Sequence, residues 1–110
     1  MDAHVQALPD ESGTRIILCS GEFDTATAPQ LRSALEAAEA DRVRRTVVDL
    51  SLVTFADSSL ISALVDGHHK QRLVVALPVT SPVRRILSLT GLEDVLDLAP
   101  DLSTAAAPDQ

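Results

Sequence analysis

The chain has 110 residues, 45% of them hydrophobic, and a formal net charge of −7. That length supports one domain with a single core, and the acidic balance argues against electrostatic capture of nucleic acid or an anionic membrane. With two Phe, no Trp or Tyr and one cysteine, the chain offers no stacking platform, no internal disulfide and no thiolate metal cluster.

In chain order, Ala3 to Leu8 alternates weakly and reads as a first strand. Pro9-Asp10-Glu11-Ser12-Gly13 reads as a turn, and Arg15 to Ser20 as a second strand, close enough to form a hairpin. Gly21 to Thr25 is expected to be an acidic loop. Thr27 with Gln30 fits a capping box, with Pro29 tolerated in the first helical turn. Leu31, Ala34, Leu35 and Ala38 then form one apolar stripe, and Asp41 to Arg45 leads out as a polar loop.

Thr46 to Gly67 organises the rest. Val47, Val48 and Leu50 have the β-branched, apolar character of an inner strand, which Leu52, Val53 and Phe55 are expected to continue. Asp57 is placed to cap the following helix, with Ser58 and Ser59 in its first turn and Leu60, Ile61, Leu64 and Val65 at helical spacing. Gly67 is expected to end that helix, with His68 and His69 just beyond it. Leu73 to Leu77 reads as another buried strand, and Ser81-Pro82 as a capped helix start. Val83, Ile86 and Leu87 face the core, Arg84 and Arg85 face solvent, and Gly91 supplies a left-handed terminus. Val95 to Leu98 suggests a short edge strand. The predicted domain is 1–99, and 100–110 reads as a flexible tail with no periodicity.

Catalytic patterns are absent. Four scattered glycines make no phosphate loop, there is no Gly-x-Ser-x-Gly elbow, and no histidine is placed to activate Ser58. Adjacent His68 and His69 are a poor chelate, and Cys19 reads as a core residue. A phosphorelay receiver fails because its acidic pair and downstream lysine are missing. No cofactor is expected. With no spanning segment and no leader-like start at Met1-Asp2, the cytoplasm is the expected compartment.

Several segments together resemble the STAS domain, and more narrowly its bacterial anti-sigma factor antagonists. They are Ser20-Gly21-Glu22-Phe23-Asp24, Thr27-Ala28-Pro29-Gln30-Leu31, Val48-Asp49-Leu50-Ser51, Phe55-Ala56-Asp57-Ser58-Ser59, Val83-Arg84-Arg85-Ile86-Leu87 and Thr90-Gly91-Leu92. The resemblance implies an α/β single domain, with a mixed four- to five-stranded sheet and helices mainly on one face. It implies a non-enzymatic protein that binds an anti-sigma factor, often itself a serine kinase, and so frees a sigma factor. The implied phosphoacceptor is Ser58, with a serine phosphatase reversing the modification. Glu22, Asp24, Asp57, Ser58, Ser59 and Leu60 are the expected partner-binding residues. Where the family usually has Gly after the second serine, this chain has Leu60, and the stretch from Ser58 to Leu73 is shorter than usual. The alternative function is a non-phosphorylated docking subunit of a signalling or lipid-transport assembly.

Overall fold

A computed structural model describes residues 2–108. Within them lie strands β1 (His4–Ala7), β2 (Thr14–Phe23), β3 (Arg45–Ala56), β4 (Leu73–Ala76) and β5 (Asp97–Ala99). The helices are α1 (Ala28–Ala40), α2 (Ser58–Lys70), α3 (Pro82–Leu89) and α4 (Leu102–Ala106), with a 3-10 turn at Leu92–Asp94. The sheet order is β1-β2-β3-β4-β5, with β1 antiparallel and the others parallel. Each parallel step advances to the next strand in the same direction. Right-handed crossovers therefore put α1, α2 and α3 on one face.

That face holds the main core. Ile17, Cys19, Val48, Leu50, Leu73 and Val75 from the sheet meet Leu31, Leu35, Leu60, Leu64, Val83 and Leu87 from the helices. Each large aliphatic side chain buried this way stabilises the fold by about 1.5–3 kcal/mol relative to exposure. Burial and, secondarily, the Asp49 charge push the Cys19 thiol up to about 12.

Two local devices shape the sheet. At the β1–β2 connection Ser12 and Gly13 both have positive φ, 52° and 80°, the backbone of a tight hairpin turn. On β3, two extra residues interrupt the parallel register with β2. Leu18 and Ser20 pair with Asp49 and Leu52, then Gly21 and Glu22 pair with Val53 and Phe55. The Asp49 carboxylate accepts the Ser51 amide at 2.9 Å and fixes the first bulge. The Thr54 hydroxyl donates to the Gly21 carbonyl at 3.3 Å beside the second.

The bulges overturn part of the expected burial. Leu52, Val53 and Phe55 are expected to continue the buried apolar run, but only Val53 does so; Leu52 and Phe55 are 71% and 49% exposed, while Ala56 is buried. The acidic loop expected at Gly21 to Thr25 begins later, because β2 runs on to Phe23 and holds Glu22 in the sheet.

Gly67 does not end its helix. It is buried inside α2, where a Cβ would stand 3.1 Å from Leu35 Cδ1 and 3.2 Å from Leu73 Cδ2. The glycine thus permits close packing against α1 and β4, and α2 continues through His68 and His69 to Lys70. Their charge-compatible place in the last turn suits the negative end of the helix dipole. Gln71 then closes the helix end: its side-chain oxygen accepts the buried Thr46 hydroxyl at 2.6 Å, and its amide donates to the Leu35 carbonyl at 2.9 Å.

The region read as a flexible tail contains α4. Asp101 Oδ1 accepts the Thr104 amide at 2.7 Å, and Ala105 packs with Val47, Ala76 and Ala99 on the sheet face opposite the other helices. The Arg45 guanidinium donates to the Ala106 carbonyl at 2.8 Å. Five residues are too few to display a helical stripe in sequence, so the pattern was silent there. The remainder of the expected tail, 109–110, lies outside the described residues. The edge strand expected at Val95 to Leu98 is shifted to Asp97–Ala99 because the 3-10 turn occupies the preceding chain. Arg84 is also less exposed than expected, bonding Glu93 Oε2 at 3.1 Å and the Leu77 carbonyl at 3.3 Å.

Candidate functional site

The site is built where β3 ends and α2 begins. The Asp57 amide donates to the Phe23 carbonyl at 3.1 Å, so the end of β3 is stitched to the end of β2 before the chain turns. Asp57 then takes extended backbone geometry, and its Oδ1 accepts the Ser59 amide at 2.8 Å. This is the N-cap expected from sequence, and such a cap is worth about 0.5–2 kcal/mol.

Ser58 is the first residue of α2 and is exposed, and its hydroxyl makes no hydrogen bond to any described residue. Ser59 is half-buried and its hydroxyl lies 3.1 Å from that of Thr25. The two serines thus differ in state although adjacent in sequence. Thr25 was not among the expected site residues. The contact joins residues 34 apart, so no local pattern could reveal it.

Leu60, expected on the partner-binding face, is fully buried. It falls on the inward side of α2 with Ala63, Leu64 and Gly67. The side chain therefore turns into the core and leaves Ser58 uncovered.

The loop preceding α1 is organised by Asp24. Its Oδ1 accepts the amides of Ala26 and Thr27, at 2.9 and 3.1 Å, and the Thr27 hydroxyl. The Thr27 hydroxyl and then its amide hold the Asp24 carboxyl below the usual carboxylate range. Thr27 is the N-cap residue of α1, but its side chain makes no cap bond, so the expected capping box with Gln30 is absent. Its hydroxyl serves the loop instead, within 3.1 Å of the Glu22 carbonyl. Glu22 itself sits in β2 opposite Phe55. The structure therefore brings Asp24 and Glu22 into one loop and strand end, and the Thr25–Ser59 contact joins that loop to α2.

No group of three or more His, Cys, Asp or Glu among the described residues is arranged to hold a metal ion. No described helix is long and apolar enough to cross a membrane.

An exposed hydroxyl at a capped helix N-terminus, on a sheet with all its crossover helices on one face, defines a STAS-type α/β module. The chain belongs to the STAS domain family: the family model described as "Mlab, STAS domain" matches residues 7–100. An anti-sigma factor antagonist from Mycobacterium paratuberculosis has 33% identity, a TM-score of 0.80, and coverage of 94% of this chain and 91% of that one. The anti-sigma-B factor antagonist of Listeria monocytogenes is 27% identical over 86 residues, which cover 74% of this chain and 75% of that protein. The Bacillus cell fate determinant SpoIIAA, solved in its phosphorylated form, shares the fold at 20% identity and a TM-score of 0.65, covering 87% of this chain and 91% of that one.

Proposed function

We propose that the chain is an anti-sigma factor antagonist. In its unmodified form it binds an anti-sigma factor with serine kinase activity and so releases a sigma factor. Phosphorylation at Ser58 switches it off, and a serine phosphatase restores it. It acts in the cytoplasm as a regulator without catalysis of its own.

The observation that carries this reading is the state of Ser58: an exposed hydroxyl with no hydrogen-bond partner among the described residues, directly after the capping Asp57. A phosphoryl group adds about −1.5 to −2 charges. The α2 dipole favours an anion there by about 0.3–1 kcal/mol, so the fold persists. Asp57 opposes it, and any surface packed against Ser58 would have to accommodate a hydrated dianion. Modification thus acts on docking with little change of shape. The relatives' names, and the phosphorylated form in which one of them was solved, point the same way.

The test is to incubate the protein with purified anti-sigma factor kinases of its source genome and ATP, and to map the modified residue by mass spectrometry. Modification at Ser58, and loss of binding in Ser58→Asp, support the switch. Tight binding by a kinase without modification would instead identify a non-phosphorylated docking subunit.

A further inference from the structure

We propose that Leu52 and Phe55 form the apolar anchor on which the anti-sigma partner seats itself. The inference rests on the function proposed above and names the surface that function uses. In the parallel register Leu52 stands opposite Ser20 and Phe55 opposite Glu22. Their chain neighbours Val53 and Ala56 belong to the core on the helix side, so Leu52 and Phe55 point to the reverse face. There α4 covers the sheet near Val47, Ala76 and Ala99, at the other end of β3. Leu52 and Phe55 remain 71% and 49% exposed, three residues apart and just ahead of Ser58. Large apolar side chains paired on an open strand end mark an interaction surface.

Charge indicates which partner fits. Neither 16–31 nor 46–59 contains a lysine or arginine, whereas these stretches hold Glu22, Asp24, Asp49 and Asp57. Two copies of this chain meeting through the patch would oppose like charges, so a second copy is disfavoured. A partner presenting an apolar pocket with a neutral or basic border is complementary.

An apolar component suits the proposed switch. A purely basic partner surface would attract the new phosphate and bind the modified form more tightly. Loss of binding follows when the contact beside Ser58 is apolar, because the dianion must then be stripped of water to keep that contact closed.

The experiment is calorimetric titration, without ATP, of each purified anti-sigma factor kinase of the source genome. It compares the wild-type chain, the double variant Leu52→Ser/Phe55→Ser, the single variant Leu52→Gln, Ser58→Asp and the exposed apolar control Leu89→Ser. Circular dichroism checks folding. The anchor predicts at least about tenfold weaker binding by the double variant, as for truncated central interface residues. It also predicts weakening by Leu52→Gln and wild-type affinity for Leu89→Ser. If Ser58→Asp weakens binding while both Leu52 variants bind as wild type, the anchor is wrong and the switch stands. If the Leu52 variants weaken binding but Ser58→Asp does not, the anchor stands and the switch falls. If no kinase binds the wild-type chain, both fall. A wild-type dimer in sedimentation equilibrium that the double variant converts to monomer would assign the patch to self-association and overturn the anchor. Should the double variant not fold, the single Leu52→Gln decides.

Discussion

The hydroxyls of Thr25 and Ser59 lie 3.1 Å apart, joining the loop before α1 to the first turn of α2. The contact engages the second serine and leaves the first without a partner among the described residues. Under the proposed switch, this difference in hydrogen bonding and exposure is what would select Ser58 over Ser59. In Thr25→Val the Ser59 hydroxyl is released, and phosphopeptide mapping after kinase treatment should show Ser59 modified alongside Ser58. An unchanged, exclusive Ser58 product would remove this contact as the selector. The lost bond should lower stability by only about 0.5–1.5 kcal/mol.

Leu60 gives a separate expectation, since the residue replacing the family's usual glycine is a core residue here. Leu60→Ala should cost about 2–5 kcal/mol, read from urea unfolding, because it opens a cavity between α2 and the sheet. Leu60→Gly adds roughly 1 kcal/mol for a glycine within the helix. The folded fraction of either variant should still be phosphorylated at Ser58. Direct loss of the kinase reaction in a fully folded variant would show that Leu60 does reach the partner.

Two glycines should respond differently to alanine. Gly21 has φ +92°, and a Cβ there would collide with the backbone carbonyl oxygen of Asp2. Gly21→Ala must therefore displace the β1 end, at about 1–3 kcal/mol. At Gly67 the neighbours are the ends of the Leu35 and Leu73 side chains, which can yield. There the crowding offsets the roughly 0.5–1 kcal/mol that alanine contributes within a helix. Thermal melts should place Gly21→Ala well below Gly67→Ala, and equal melting temperatures would refute the contrast.

Stability should fall at both ends of the pH scale. The Arg15 guanidinium holds the Asp10 carboxyl below its usual value of 3.8, and Arg32 does the same for Asp66. The Thr27 hydroxyl lowers Asp24, and the Thr104 amide lowers Asp101. The folded state binds fewer protons at these groups, so their contribution is present above 3.8 and is lost as pH falls through the lowered values. Cys19 acts at the alkaline end. Its thiol is raised from 9.0 to about 12, so the unfolded chain ionises first and stability declines across that interval. Melting temperature against pH should show both declines, with the alkaline one reduced in Cys19→Ala. An unchanged alkaline limb in that variant would remove the thiol as its source.

The strands and helices were legible where one apolar period ran long enough. The Leu31, Leu35 and Ala38 stripe, the Asp57 cap and the Ser81-Pro82 start all appear in the structure. The Asp57 cap and the hydroxyls beside it were legible too, because they are contiguous, whereas Ser58 as a phosphoacceptor candidate came from the family resemblance. What escaped depended on relations between distant segments. Gly67 looked like a terminator until Leu35 and Leu73 closed over it. Thr25 gained its role only through Ser59, and the shared exposure of Leu52 and Phe55 depends on a bulge, since strict alternation sets residues three apart on opposite faces.

The β3 bulges also act as a phase setting. Inward positions fall at Val48, Leu50, Val53 and Ala56, where an uninterrupted strand would count in twos. Removing Thr54 alone would set Val53 and Ala56 two positions apart, so the second bulge would close while both side chains keep their face. With Thr54 present, only the bulge lets Leu52 and Phe55, three residues apart, share one face of the sheet.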